Sequence, residues 1–301
     1  MSSRSPRQIR ANGREALSLT TTLLQRARLQ DPRAGVWEAA DVQWSWRLPR
    51  SSDGVDTLFW VDDDGPVAGV WLTSDNPGWQ CDPILVPGAF GLEPADVWHR
   101  ALQHAGEHAG EGFEVPVGDH DPVFAALARQ SGLIAGEGDG TAWMEASARP
   151  QVPGLPEGFV LVDRTQRRGT PHPMRHRNGD DVETRLGECS LYDPTLDLAV
   201  ETDDGRPAGY SLYWFDPLTR VGLVEPVRVE AEFARRGLAR AMVGTGIDRL
   251  ARAGARRVKV SYESGAAAAL YHGLGFRQAS TTTWYRNAGT RQQGSLVTEL
   301  R

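Results

Sequence analysis

From Val221 to Val229 apolar and polar positions alternate and valine dominates, the pattern of a half-buried strand. Glu230–Arg236 then forms a short loop, after which Leu238, Met242, Gly246, Ile247 and Leu250 recur at helical spacing. A further strand is expected at Arg257–Tyr262, followed by the alanine-rich run Ser264–Phe276. Strand, Arg-Arg-Gly turn, helix and strand in that order make one βαβ unit. Upstream, Leu17, Leu23, Leu24 and Leu29 predict a helix that packs on the first part of the chain, after a frayed start at Met1–Pro6. Phe159–Val162 reads as a strand. Gly169–Asp181, rich in Pro, His and Arg, has no clear periodicity and is expected to be mobile.

The pattern repeats. Asp63-Asp-Gly-Pro-Val-Ala-Gly-Val-Trp-Leu72 returns as Asp203-Asp-Gly-Arg-Pro-Ala-Gly-Tyr-Ser-Leu212, each a strand, an Asp-Gly turn and a strand. Asp82-Pro83 corresponds to Glu225-Pro226, and Leu127 with Gly132-Leu133 corresponds to Leu270 with Gly275-Phe276, both pairs 143 residues apart. Between the halves, Pro150, Pro153 and Pro156 stiffen an exposed linker. The chain of 301 residues therefore divides into a domain at 1–149, a linker at 150–157 and a domain at 158–301.

The Arg-Arg-Gly turn is built for an anion. A helix N-terminus presents unpaired N–H groups and partial positive charge. Gly237 lets the backbone approach a phosphate, and Arg235, Arg236 and Arg240 add fork-shaped donors. With Ser264-Gly-Ala-Ala-Ala-Ala-Leu-Tyr271-His-Gly-Leu-Gly-Phe276 downstream, this order resembles the GNAT superfamily of N-acetyltransferases. Their acetyl-CoA loop reads Arg/Gln-x-x-Gly-x-Gly/Ala, and a later helix reads Asn-x-x-Ala-x-x-Leu-Tyr-x-x-x-Gly-Phe. Gly237 and Ala239 match the first motif; Ala267, Leu270, Tyr271, Gly275 and Phe276 match the second. Ala234 stands where Arg or Gln is usual, and Ser264 replaces the Asn.

The resemblance implies an α/β (α+β) fold of two tandem GNAT-like domains, each a mixed, mostly antiparallel sheet flanked by helices. It implies acetyl-CoA as cosubstrate, cradled by Arg235, Arg236, Gly237, Leu238, Ala239, Arg240 and Ser264. The strand backbone near Val227 and Val229 would pair with the pantetheine arm as an added strand does. Tyr271 matches the tyrosine held near the CoA sulfur and would serve as general acid. Alternation places Leu223, Glu225, Val227 and Val229 on one strand face, where Glu225 is the candidate base, directly or through water. Several family members carry the acid two residues earlier, at the place of Leu223. The region Gly169–Asp181 would lie among the helices and loops that close over the acceptor.

The repeat fails where chemistry would matter. Arg236, Gly237 and Ala239 correspond to Glu93, Pro94 and Asp96, and Tyr271 to Ala128. Two carboxylates repel a pyrophosphate and proline lacks a donor N–H, so the first half should bind no CoA. This layout is similar to that of mycothiol synthases, although Leu223 lacks the acidic group expected of them. Three functions stay open: N-acetylation of a small-molecule amine, acetylation of protein N-termini or lysines, and non-catalytic binding of acetyl-CoA.

Composition removes other classes. A net charge of −6 and a pI near 5.7 argue against a general nucleic-acid binder. Lys259 is the single lysine among 33 basic residues, so an arginine carries less meaning here than in an ordinary chain. Cys81 and Cys189 cannot build a disulfide framework. No stretch approaches the ~20 apolar residues of a membrane span. The first thirty residues carry only Glu15 as an acid, faintly like a transit segment, yet a cytoplasmic protein is the expectation. Because both domains come from one chain, a monomer is expected, an intramolecular pseudo-dimer. No metal is expected. His104 and His108 are a turn apart on a helix but read as a plain surface face without a third ligand, and Pro173 interrupts His172–His176. Eight of ten tryptophans fall in the first half and most should be core.

Overall fold

The computed structural model describes residues 5–75, 78–110 and 112–287. The first half runs β1 (Arg7–Ala11), α1 (Gly13–Gln30), α2 (Ala39–Ser45), β2 (Thr57–Asp62), β3 (Gly65–Asp75), β4 (Gly78–Leu85), α3 (Pro94–Ala109), β5 (Phe113–Gly118), α4 (Pro122–Gln130) and β6 (Ile134–Glu145). The second runs β7 (Phe159–Asp163), α5 (Arg175–Asn178), α6 (Val182–Gly187), β8 (Asp197–Thr202), β9 (Pro207–Asp216), β10 (Val221–Val229), α7 (Leu238–Ala253), β11 (Arg257–Tyr262), α8 (Gly265–Gly273) and β12 (Arg277–Arg286). Most of Met1–Pro6, and the chain beyond Asn287, lie outside the described residues.

Two units form, and they interleave along the sequence. Among the described residues, unit one takes 5–42, 49–139 and 280–287, and unit two takes 43–48 and 140–279. In unit one β1, β2, β3 and β4 pair antiparallel in order, β4 pairs parallel with β5, and β5 pairs antiparallel with β12. In unit two β7, β8, β9 and β10 follow the same antiparallel order, β10 pairs parallel with β11, and β11 pairs antiparallel with the end of β6. The same scheme therefore appears twice, with the closing strands exchanged between halves of the sequence. These units do not coincide with the intervals 1–149 and 158–301.

The repeat extends to the helices. α3 and α7 are each 16 residues long, and α4 and α8 each nine. α4 and α8 start 143 residues apart and are followed by Gly132 and Gly275, whose φ of +78° and +101° closes both turns. α3 and α7 start 144 apart, so Glu93 rather than Pro94 occupies the N-cap place of Gly237. The cradle is lost in either register, since Pro94 and Asp96 fill the first turn of α3.

Burial follows the apolar periodicity. Leu238, Met242, Ile247 and Leu250 on α7 are each at most 1% exposed, worth about 1.5–3 kcal/mol apiece over exposed side chains. Leu17, Leu23 and Leu24 of α1 are buried, but Leu29, at the end of that helix, is 55% exposed and outside the core. The tryptophans also depart from expectation: Trp44, Trp98, Trp214 and Trp284 are buried, and the other six stay partly exposed. Gly169–Asp181 is anchored, with His172, Met174 and Asn178 buried. His172 Nδ1 accepts from the Met174 N–H, so its Nε2 carries the proton donated to Asp197, 2.8 Å away.

In each unit the parallel pair parts after two or three residues. Among the described residues β10 meets β11 only from Val221 to Leu223, and β4 meets β5 only at Trp79 and Gln80. Leu223 and Gln80 are 143 residues apart, so Glu225 and Asp82 each sit two residues beyond the parting. In unit one a cavity of ≈ 180 Å³ lies there, lined by Trp37, Asp82, Ile84, Val117, His120 and Phe124 among others. Asp82 is 3% exposed and accepts from Trp37 Nε1 at 2.6 Å and Gln80 Nε2 at 2.7 Å. Burial outweighs these bonds and pushes its pKa up to about 7.

Two expectations follow. A Cβ at Gly246 would lie 2.1 Å from the ring of Tyr213, which is fully buried and donates to Ser211 Oγ. Gly246→Ala should therefore lower the stability of unit two by about 1–3 kcal/mol. Gly187→Ala, in open space on a helix, should be neutral or stabilising in the same unfolding experiments. For Asp82, the folded state holds a proton that the unfolded state releases, so stability is lost as pH rises from 3.8 to about 7. The loss is on the order of 4 kcal/mol and is complete above that window. Asp82→Asn should gain on wild type by this amount between pH 4 and 8; a pH-independent difference in unfolding midpoint would contradict the assignment.

Candidate functional site

The residues singled out in the sequence lie on β10, on the loop and first turn of α7, and on α8 with its cap. The register of β10 on β9 shifts between Val224 and Val227, where three residues of β10 span two of β9. Such a bulge moves the residues after it to the other face. Val224 and Val227 both join the core beneath α7 and α8, and Val229 packs on the neighbouring cluster with Leu238 and Met242. Leu223 is outside both clusters. The expected single face holding Leu223, Glu225, Val227 and Val229 therefore does not exist. The bulge contains the cis Glu225–Pro226 peptide, and the Glu225 carbonyl accepts from Trp214 Nε1 at 2.9 Å. Trp214, on β9, was not singled out from the sequence, because only antiparallel pairing brings it there.

Tyr271 stands on α8 and is 2% exposed, packed against Phe276 and Tyr262 at ring-centroid distances of 5.8 and 6.3 Å. Burial raises its pKa well above the ordinary phenol range, and the nearby charge of Glu225 raises it further. The charge of Glu225 therefore reaches Tyr271, and the phenol stays protonated at neutral pH. Glu225 itself is half-buried. Ser264 caps α8: its hydroxyl accepts from the Ala267 N–H at 3.2 Å.

The loop before α7 is shaped by two left-handed residues. Arg235 has φ +64° and Gly237, the N-cap of α7, has φ +84° with nothing within 4 Å of a Cβ. The first N–H groups of α7, on Leu238, Ala239 and Arg240, have no partner within the helix. They open beside the exposed side chains of Arg235 and Arg236. Leu238 is buried and anchors the turn, and Ala239 packs on the core below. Arg236 lies over Phe233 at 5.7 Å. Arg240 is directed elsewhere than expected: its guanidinium donates to the Gly273 carbonyl at 2.9 Å and so ties α7 to the end of α8. A phosphate placed here would meet backbone donors and fixed positive charge, so the residues present fit the pyrophosphate end of acetyl-CoA.

One other cluster differs from its sequence reading. His104 is fully buried rather than on a surface face, and Glu107 lies with it and His108. Among the described residues no helix is long and apolar enough to cross a membrane.

Comparison with known proteins agrees with this arrangement. Residues 165–276 match the acetyltransferase (GNAT) family. A mycothiol acetyltransferase of Clavibacter sepedonicus is 28% identical over 266 residues, covering 80% of this chain and 84% of that protein. One from Clavibacter michiganensis subsp. michiganensis is 33% identical over 120 residues, 39% of this chain and 38% of that protein. A tandem GNAT protein from the clavulanic acid biosynthesis pathway shares the fold at TM-score 0.67 and 18% identity, over 95% of this chain and 100% of that one. A GCN5-related N-acetyltransferase from Sphaerobacter thermophilus does so at TM-score 0.59 and 16% identity, over 93% and 95%. The fold is the tandem GNAT arrangement, residues 165–276 match the GNAT acetyltransferase family, and the relatives support an acetyl-CoA-dependent acyltransferase.

Proposed function

We propose that unit two moves an acetyl group from acetyl-CoA to the primary amine of a small molecule, in the opening between β10 and β11. The observation that carries this reading is the exposed N-terminus of α7, whose Leu238, Ala239 and Arg240 N–H groups open beside Arg235 and Arg236, with the charge of Glu225 acting on the Tyr271 phenol of the following helix. The N–H groups of Leu238, Ala239 and Arg240, with Gly237 leaving room, hold the pyrophosphate, and Arg235 and Arg236 add charge. β10 near Val227 and Val229 lacks β11 as a partner, so its edge is available to the pantetheine arm. Ser264 fixes the start of α8 and with it the position of Tyr271. The domain at 158–301 carries the chemistry, the linker at 150–157 joins it to a degenerate domain at 1–149, and the work is done in the cytoplasm. That two similar proteins are named mycothiol acetyltransferases supports a small-molecule acceptor over a protein one.

In the proposed reaction the amine nitrogen attacks the thioester carbonyl, the C–N bond forms and the C–S bond breaks. Glu225, directly or through one water, takes the proton the nitrogen must lose. Tyr271 gives its proton to the departing thiolate and is re-protonated from solvent. A phenol whose pKa is raised suits that donor role, because it holds its proton until a strong base forms beside it.

Calorimetry should find one acetyl-CoA site per chain, and Gly237→Glu should abolish it by bulk and charge. Two equivalent sites would overturn the reading of the first half as silent. Tyr271→Phe keeps the packing and should lower kcat by ~10²–10⁴ with CoA affinity nearly unchanged. Glu225→Gln should cost most near neutral pH, and its deficit should shrink as pH rises and more amine is already neutral. Because the pKa of Tyr271 is raised, the wild-type pH–rate profile should show no alkaline fall below the ordinary phenol range of ~10. Full turnover in Tyr271→Phe would make Tyr271 a packing residue.

A further inference from the structure

The C-terminal part of α3 in unit one places His104, Glu107 and His108 on one helical face, three and four residues apart. One ligand atom from each lies within 4.8 Å of the others. His104 is fully buried, and its Nε2 is 2.6 Å from the carbonyl oxygen of Asp56. A carbonyl can only accept, so Nε2 carries the proton and Nδ1 presents its lone pair. That Nδ1 is buried and has no hydrogen-bond partner among the described residues. The atom facing it is Glu107 Oε2, 3.7 Å away, which is itself an acceptor. Two lone pairs thus face each other, and leaving a buried acceptor unmet costs about 1–3 kcal/mol.

The side chains around this gap are arranged for a cation. Gln103 donates to the other Glu107 oxygen at 3.0 Å, and Arg100 is 3.6 Å from it, so the carboxylate is turned with Oε2 towards the histidine. The His108 ring stands edge-on to that of His104 at 4.8 Å. A histidine whose second nitrogen is fixed by a backbone carbonyl is the usual form of a metal ligand, because the bond sets both tautomer and ring orientation. Two histidines a helical turn apart can grip one ion from the same side.

We propose that His104 Nδ1, Glu107 and His108 form a site for Zn²⁺ or a similar late first-row divalent cation, with water completing the coordination. The donor set of two imidazoles and a carboxylate suits zinc, whose bonds to such atoms are ~2.0–2.2 Å. Glu107 and His108 are exposed and can turn inward by rotamer changes, while the buried His104 stays fixed. Because His104 also holds the Asp56 carbonyl, the bound ion fastens the last turns of α3 to the chain entering β2. The role is structural, and it lies in the unit that carries no acetyl-transfer chemistry.

The test uses the full chain without a histidine tag, dialysed against a chelator and titrated with ZnCl₂ in calorimetry. One ion per chain should bind, and Co²⁺ should give the visible absorption of a nitrogen–oxygen site. His108→Ala and Glu107→Gln should each weaken zinc binding at least tenfold with unchanged circular dichroism. Zinc should raise the Tm of wild type but not of His108→Ala. His176→Ala, on the separate histidine-rich segment of unit two, should bind zinc as wild type does. Absence of zinc binding by wild type, undiminished binding by His108→Ala, or loss in His176→Ala alone would each overturn the site.

Discussion

β10 and β11 stay paired only as far as Leu223 and Lys259, and every feature of the site follows from what happens to β10 beyond that point. Backbone groups that lose a ladder partner must be met by something else. The bulge at Glu225–Pro226 turns one carbonyl onto the Trp214 indole and swings Val227 into the core. The parted strands leave the edge of β10 open beyond Leu223, and the charge of Glu225 reaches the buried Tyr271 of α8. α7 could not lie so low over β9 without Gly246, whose missing side chain is the space Tyr213 occupies.

Unit one keeps the same frame with different chemistry. Its strands part at the corresponding place, but the helix that follows starts with Glu93, Pro94 and Asp96, and Ala128 fills the place of Tyr271. What remains is a small cavity with a buried carboxyl group that tends to keep its proton. The two units thus share their parting strands and differ in the turn before the helix and at the place of Tyr271, so the pattern that builds the sheet is separable from those residues.

Much of this was legible from the chain because the signals are local. α7 begins at Leu238, where the helical spacing starts, and α8 begins directly after Ser264, where the second motif starts. The matched helices α4 and α8 were legible from an offset shared by Leu127, Gly132 and their counterparts. The rest depends on non-local geometry. A period of two cannot register the one extra residue of a bulge, so the face carrying Val227 was misassigned. Burial of His104 depends on the Asp56 carbonyl, 48 residues earlier, and periodicity on α3 alone cannot reveal it. Arg240 looked like a phosphate ligand because its place in the motif is clear, whereas its partner Gly273 lies on another helix.

The exchange of closing strands bears on how the protein is made. β5 lies beside β12, which is synthesised more than 150 residues later. Until that strand leaves the ribosome, the first unit has every helix it needs but an open, hydrophobic sheet edge, the kind of surface that pairs with other chains. The second unit has no such delay, because β6 is already present when β11 emerges. Vectorial synthesis therefore lets the later-encoded unit complete its sheet first, and the earlier one stays unsealed until β12 has been translated.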